Sequence, residues 1–253
     1  MERVTTAYFA YLAVVAIARR KPRPAILSLA ILATVFVVGM PHVMPLVYLL
    51  AGYWLPAMVV RQPNVAIELG LLRFDHTLFG KDGLARFERH APRLLIEYLE
   101  AAYLLCYAVP LAGYISLLLG GHAAATIDRF WTIVLLASFA CYGLLPWMPT
   151  RAPREIEPTR SATRSRIRAA NLAVLDRASV QWNTFPSGHT AASLATALAV
   201  STDMPFAGVA LAAVAVSIAA GSVVGRYHYA ADALTGAAVA MLAFVMGTVP
   251  RAL

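Results

Sequence analysis

The stretch "FPSGHTAASL", residues 185–194, places a helix-breaking proline, a serine, a glycine and a histidine directly before a long run of small apolar residues. A second stretch, "GRYHYAADALTG" at residues 225–236, sets another histidine and an aspartate in front of another apolar run. A proline at such a position is typical of the start of a helix. Two apolar helices are therefore expected to begin with titratable side chains at their ends.

The composition around these stretches is that of an integral membrane protein. Of 253 residues, 60% are hydrophobic and 13% are charged, and the mean hydropathy is +0.68, far from the profile of a soluble domain of this length. The formal net charge is +8, but the basic residues lie in loops between apolar segments, where membrane proteins ordinarily carry them. The expected partner is therefore the lipid bilayer and not a nucleic acid.

Apolar segments of about 20 residues are long enough to cross the hydrocarbon core of a bilayer as helices. Five segments in the C-terminal part of the chain are close to this length, namely 94–118, 127–147, 188–203, 205–224 and 231–249. The fold class predicted from them is all-α, a polytopic transmembrane helical bundle.

The first 60 residues add further helices, whose number the pattern leaves open. Residues 25–60 are apolar but contain "MPHVMP" at 40–45, and two prolines so close together break or sharply kink a helix. Two shortish helices are expected there. Residues 4–18 are shorter than a normal span and precede the basic "RRKPRP", so they form either an additional helix or an interfacial anchor.

Residues 61–93 mix charges of both signs with apolar residues, which suits one or two helices lying along the membrane surface. The arginine-rich residues 147–183 lead directly into the first histidine stretch. Three regions are therefore predicted: N-terminal membrane helices at 1–60, an interfacial helical segment at 61–93 and a catalytic transmembrane core at 94–253.

Counting spans places the polar residues of three segments on one membrane face. From the arginine-rich segment the chain crosses through residues 188–203 and returns through 205–224, so it comes back to the face where it started. Ionisable groups at a membrane interface are costly unless they are paired or used. The residues that share this face are Arg151, Arg154, Ser187, His189, Arg226, His228 and Asp232.

These residue types suit phosphoryl transfer. His228 and Asp232 are four residues apart, so the carboxylate can accept from one ring nitrogen and leave the other as a nucleophile or base. His189, on a different segment, can donate a proton to a departing oxygen, and arginines can hold the oxygens of the transferring group. The glycine and the unpaired N–H groups at a helix start can approach an anion closely.

The sequences "PSGHT" at 186–190 and "RYHYAAD" at 226–232 resemble the second and third motifs, PSGH and H-x-x-x-D, of the type 2 phosphatidic acid phosphatase superfamily. The resemblance implies a six-helix transmembrane core, here with one or more extra N-terminal helices. It also implies metal-independent phosphoryl transfer through a phosphohistidine intermediate, without a cofactor.

The resemblance also implies a role for each motif residue, carried over by position. His228 takes the position of the nucleophile, Asp232 that of its partner and His189 that of the general acid. Ser187 and Gly188 take the position of the phosphate-binding turn.

The chain departs from the phosphatase pattern at two places. An arginine is expected six residues before the nucleophilic histidine, but Ser222 stands there. The nearest arginine, Arg226, lies on the same loop as His228 and is predicted to replace it as a phosphate ligand. The first phosphatase motif, K-x-x-x-x-x-x-R-P, is replaced by "PTRAPR" at 149–154, which resembles the first motif of the inositol phosphotransferase branch, related to inositol phosphorylceramide synthases. That branch implies Arg154 as a phosphate ligand, with Arg151 as the second choice, and favours an alcohol acceptor.

Two glutamates interrupt an apolar segment at Glu97 and Glu100, and Tyr103 and Tyr107 continue the same helical face. One interpretation is a cavity that binds a polyhydroxyl acceptor or a head group, with Glu100 as a ligand. The other is that both glutamates lie near a helix end in the membrane interface. The stretch "FDHTLFG" at 74–80 is interpreted as an interfacial turn.

The predicted function is that of a membrane phosphatase or phosphotransferase. It would move a phosphoryl-containing group from a lipid phosphate or phospholipid donor to water, a polyol or a lipid alcohol. The alternative is a non-catalytic protein that binds or transports lipid phosphates. Alanine and arginine usage favours a bacterial plasma membrane, and the resemblance implies an extracytoplasmic site, whereas the charge bias of "RRKPR" at 19–23 favours the opposite side.

Overall fold

The structure, a computed structural model, describes residues 1–38, 44–60, 62–157, 165–182 and 184–249. Every regular element within these ranges is helical, so the predicted all-α membrane bundle is confirmed. Short 3-10 segments, Leu55–Met58 and Leu105–Tyr107, follow α3 and α6. The α-helices of the described residues are α1 (Glu2–Ala18), α2 (Pro22–Val38), α3 (Met44–Trp54), α4 (Val65–Phe79), α5 (Gly83–His90), α6 (Arg93–Leu104), α7 (Val109–Leu119), α8 (Ala124–Tyr142), α9 (Pro153–Ile156), α10 (Arg166–Ala178), α11 (Gly188–Ser201), α12 (Pro205–Val224) and α13 (Ala230–Thr248).

Three helices in the described part of the chain, α8, α12 and α13, are long and apolar enough to cross a membrane by length and composition. The expected span 94–118 is instead a broken one, because α6 with its 3-10 segment meets α7 at an angle of 66°. Pro110 lies at the start of α7, where it removes a backbone donor and bends the chain. Counted as one bent span, this pair raises the number to four, and the six-helix core stays a prediction.

The N-terminal helix α1 packs one face against the bundle, while Val14 and Ile17 on its other face are exposed. Phe9 and Leu12 are fully buried, and the ring of Tyr8 stacks on Phe139 of α8 at a centroid distance of 4.0 Å. The two shortish helices expected over 25–60 are α2 and α3. Most of the "MPHVMP" break between them lies outside the described residues.

The hydrophobic core is centred on α8, where Trp131, Ile133 and Leu135 are fully buried. Side chains from α1, α3, α11 and α13 pack into the same cluster. The N-terminal helices therefore share one core with the segment that carries the histidine stretches.

The polar segments form helices that lie against this bundle. The side chain of Asn64 accepts from the first backbone N–H groups of α4, and α5 follows. Residues 61–93 therefore contain two helices, where one or two were expected. A longer helix in the second polar segment, α10, was not predicted. It is capped by the Ser165 side chain, and the indole N–H of Trp54 donates to the carbonyl of Ala178 at its other end.

Candidate active site

A cavity of about 240 Å³ lies where two loops meet the start of α11. The first loop, here called the arginine segment, comprises residues 149–157 and contains α9. The second, the histidine loop, comprises residues 225–229 between α12 and α13. Together with α6 and α10 they enclose the cavity, and three predicted site residues, Arg154, His189 and His228, line it.

The hydrogen bonds of the His228 ring determine which of its nitrogens carries the proton. Nδ1 lies 2.9 Å from the carbonyl oxygen of Thr184 and 3.3 Å from Oδ2 of Asp232. Because a carbonyl oxygen only accepts, we assign the proton of the neutral ring to Nδ1. Nε2 is then left with a free lone pair. The predicted partner Asp232 is in place, but the Thr184 carbonyl is the nearer acceptor.

Asp232 serves both the helix start and the histidine. Its Oδ2 accepts the backbone N–H of Tyr229 at 2.9 Å, which caps α13. The same oxygen faces the His228 ring, and the side chain is fully buried. The four-residue spacing therefore couples the position of the imidazole to the first turn of α13.

The serine that stands where phosphatases place an arginine has a backbone role. The carbonyl of Ser222 accepts the N–H groups of Tyr227 and His228 at 2.8 and 3.0 Å, and its side chain is fully buried. Arg226 adopts a left-handed backbone conformation, with φ of 58°. The histidine loop thus folds back onto the end of α12.

His189 faces His228 across the cavity, with the two ring centroids 5.8 Å apart. Three tyrosine rings surround it at centroid distances of 5.2 to 6.3 Å, those of Tyr107, Tyr103 and Tyr53. In the described part of the chain no protein group hydrogen-bonds the His189 ring. Its nitrogens therefore remain available to a molecule in the cavity.

Ser187 and Gly188 build the start of α11 and do not line the cavity. Ser187 caps this helix by accepting the N–H of Thr190 at 3.3 Å, and its own N–H donates to the carbonyl of Asp232 at 3.0 Å. Gly188 lies so close to the ring of Tyr142 that a β-carbon there would overlap it. Both residues thus hold α11 against its neighbours, whereas the position of a phosphate-binding turn implied contact with the phosphate.

Arg154 is the predicted arginine that reaches the cavity. Its guanidinium lies 5.1 Å from the centroid of the Tyr227 ring, and Tyr227 stacks on Tyr103 at 4.3 Å. The nearest carboxylate, of Glu155, is 3.9 Å away. A planar cation supported by an aromatic ring is suited to bind an anion with two donors.

Comparison with known families agrees with this geometry. A family model described as the PAP2 superfamily matches residues 69–246, more than half of the chain. This chain belongs to the PAP2 superfamily. Members of that superfamily are generally phosphatases or phosphotransferases, and the matched residues include both histidine stretches. Neither the comparison with curated proteins nor that with solved structures gives a match.

Two other predicted phosphate ligands of this PAP2 protein lie away from the cavity. The Arg151 guanidinium donates to both carboxylate oxygens of Glu68, at 2.7 and 3.0 Å. Burial opposes ionisation of Glu68, but the hydrogen bonds from Arg151 outweigh it and lower the pKa of that carboxyl. Arg226 pairs with Glu157 at 3.3 Å and lines a separate cavity of about 20 Å³.

Glu100, predicted to bind an acceptor, instead lies in a buried hydrogen-bond network. It accepts from the side chains of Arg168, Asn171 and Tyr227 at 2.6 to 2.8 Å. The network ties α6 to α10 and to the histidine loop. Its contribution to the site is indirect, because it holds the Tyr227 ring on which Arg154 rests.

Some groups at the site were not predicted. The Thr184 carbonyl is a backbone group, so no residue type could indicate it. Asp75, in the stretch interpreted as a turn, lies within α4 and accepts the backbone N–H of Ala230 at 2.9 Å. The available signal was its spacing of seven residues from Glu68, which puts both carboxylates on one helical face.

Within the described residues, no three His, Cys, Asp or Glu side chains come together as a metal site requires.

Proposed function

We propose that this PAP2 protein transfers a phosphoryl-containing group from a lipid donor to an alcohol or water through a phosphohistidine on His228. The observation that carries the proposal is the hydrogen bond from His228 Nδ1 to the Thr184 carbonyl. It leaves Nε2 unprotonated and able to attack phosphorus. His189 and Arg154 line the same cavity, which supports their roles as acid and phosphate ligand.

The transfer takes place in two half-reactions. In the first, the Nε2 lone pair of His228 forms a bond to phosphorus while the bond from phosphorus to the leaving oxygen breaks. His189, which is protonated once the phosphate anion is bound beside it, gives its proton to that oxygen. In the second, a hydroxyl of water or an alcohol attacks phosphorus and the phosphorus–nitrogen bond breaks. His189 takes the proton of the attacking hydroxyl, so both histidines return to their starting states.

Arg154 binds the oxygens of the transferring group in this scheme. Charge builds on these oxygens in the transition state, and a guanidinium offers two parallel N–H donors to them. The support from the Tyr227 ring restricts the side chain before substrate arrives. Less conformational entropy is then lost on binding.

The surroundings of the cavity support a choice of donor and of acceptor. A bundle of membrane helices favours a lipid donor, whose phosphate lies at the level where helices end. Asp176, Gln181 and Glu155 also line the cavity and can accept hydrogen bonds from the hydroxyls of an acceptor. Together with the resemblance of "PTRAPR", they support an alcohol acceptor such as a polyol. We also place the protein in a bacterial plasma membrane, which its alanine and arginine usage favours, with the extracytoplasmic site that the resemblance implies.

The test is to trap the intermediate. The full-length protein in lipid nanodiscs is mixed with short-chain phosphatidic acid or phosphatidylinositol labelled at phosphorus, then quenched in alkali, which preserves phosphohistidine. We expect label on the peptide that contains His228, and none in His228→Ala. Products are then identified by mass spectrometry with and without added inositol.

Two results would count against the proposal. Turnover without label on His228, and with His228→Ala still active, would exclude the covalent route. Saturable binding of labelled lipid without any product would instead support the alternative of a non-catalytic lipid-phosphate protein.

A further inference from the structure

The buried face of α4 carries two carboxylates. Glu68 and Asp75 are seven residues apart, and Leu71 and Leu72 lie between them on the same face. Glu68 is 1% exposed and Asp75 is 5% exposed. A buried carboxylate is costly unless it is hydrogen-bonded or paired, so each of the two is expected to have a partner.

Asp75 holds the start of α13. Its Oδ1 accepts the backbone N–H of Ala230 at 2.9 Å, across 155 residues of sequence. Ala230 is the first residue of α13 and follows His228 by two positions. The first N–H groups of a helix have no partner within it, and a carboxylate there is favourable both as acceptor and by its charge. Asp75 therefore fixes the end of the histidine loop from outside the cavity.

Glu68 holds the arginine segment in the same way. Its Oε1 accepts both the backbone N–H and the Nε–H of Arg151, at 2.8 and 3.0 Å, and Oε2 accepts from Nη2. Arg151 precedes Arg154 by three residues. Just before α4, the N–H of Asn64 donates to the carbonyl of Pro149 at 2.7 Å. The contacts of Asn64 and of Glu68 thus both tie the start of α4 to the segment that carries Arg154.

Apolar packing closes the space between the two carboxylates. Leu71 and Leu72 form a buried cluster with Tyr229 of the histidine loop, and Ile156 of the arginine segment packs against it. The loops also touch each other, because the N–H of Arg154 donates to the carbonyl of Arg226 at 3.3 Å. One rigid helix therefore contacts both loops at once.

We propose that α4 is a clamp in which Glu68 and Asp75 are positioning residues that set the separation of Arg154 from His228. The proposal rests on the proposed function, since it assigns what aligns the phosphate ligand with the nucleophile. Neither carboxylate lines the main cavity, so each acts through the loop that it holds.

The test compares three variants of the full-length protein in nanodiscs, with short-chain phosphatidic acid as substrate. Asp75→Ala removes the acceptor of the Ala230 N–H and should lower kcat about 10- to 100-fold, the cost of a misplacement of about 1 Å, with KM nearly unchanged. Asp75→Asn keeps an acceptor oxygen and should stay within about threefold of wild type. Asp82→Ala is the matched control, because Asp82 is exposed at the start of α5 without a capping bond.

Glu68→Ala should have the complementary effect. It releases the segment that carries Arg154, so KM for the same lipid is expected to rise about tenfold. A rise of this size corresponds to losing part of the free energy of a charge-assisted hydrogen bond between Arg154 and the phosphate. Glu68→Gln keeps the acceptor for the Arg151 backbone and should recover part of this loss.

Several results would overturn the clamp. If Asp75→Ala has the same kcat as Asp82→Ala, the clamp is excluded. It is also excluded if Asp75→Ala changes only KM. Asp75→Asn tests the clamp even if Asp75→Ala does not fold. A hundredfold loss of kcat in Asp75→Asn would mean that the charge of Asp75, and not its bond to Ala230, matters. His228→Ala separates the two proposals: activity in that variant contradicts the proposed function, whereas an inactive His228→Ala with unaffected Asp75 variants contradicts the clamp alone.

Discussion

The arginine segment and the histidine loop each have an inner face toward the cavity and an outer face toward α4. The arginines on the two faces differ in how closely they are paired with carboxylates. On the inner face, Arg154 rests on a tyrosine ring with its nearest carboxylate 3.9 Å away. On the outer face, Arg151 is bound at 2.7 Å by Glu68 and Arg226 pairs with Glu157. The outer cations are neutralised within the protein, whereas the inner one keeps donors for an anion.

The strongest test of this comparison is His228→Ala on the inner face. It removes the nucleophile without altering a helix, so we expect turnover of labelled lipid to fall below about a thousandth of wild type while lipid binding persists. Binding and turnover are measured on the same nanodisc preparation. Turnover above that level would argue against covalent catalysis, because acid–base roles alone supply about 10² to 10⁴.

His189→Ala should cost less, and its cost should depend on the leaving group. A general acid matters most for a poor leaving group, so we expect about a 10²- to 10⁴-fold loss with a lipid phosphate. An activated aryl phosphate, p-nitrophenyl phosphate, should be turned over with a much smaller loss. Equal losses with both substrates would remove His189 from the acid role and leave it a packing role among the tyrosine rings.

The arginines test the inner and outer faces directly. Arg154→Lys keeps the charge but loses the two-donor geometry, so it should cost about 1 to 3 kcal/mol in kcat/KM, with Arg154→Ala worse. Arg226→Ala is the matched control on the outer face and should cost less than Arg154→Ala. The reverse order would assign the phosphate to Arg226, the role that the sequence suggested for it, and would mean that the histidine loop rearranges when substrate binds.

The difference between these arginines shows which parts of the fold and of the site could be predicted from the sequence. Apolar length and proline-led helix starts are local properties, so the all-α membrane fold and the meeting of His189 with His228 could be predicted. Arg151 and Arg154 are three residues apart and contact different partners, and spacing within an irregular segment does not tell which side faces a cavity. The bend before Pro110 was not predicted either. The residues on both sides of it are apolar, so hydrophobicity alone does not mark where the span is broken.

The smallest expected effect concerns stability on the outer face. Burial raises the pKa of Asp75 from 3.8 to about 6, although the N–H of Ala230 favours the carboxylate. A carboxyl with a raised pKa in the folded state contributes its full stability below about pH 4, and that contribution is lost as pH rises through 6. Asp75→Asn cannot ionise. Its apparent Tm relative to wild type should therefore increase by a few degrees between pH 5 and pH 7.5.

This difference in Tm separates the titration of Asp75 from other consequences of the substitution. Any cost of the amide that does not depend on pH cancels between the two conditions, provided that both proteins are heated at the same rate. Three ionisable groups near Asp75, those of Asp232, Arg226 and His76, are present in both proteins. Asp82→Asn should show no such trend, because that side chain is exposed. A relative Tm that stays constant or falls toward pH 7.5 would mean that Asp75 is already ionised at pH 5, and that α4 holds the histidine loop with a charge throughout this range.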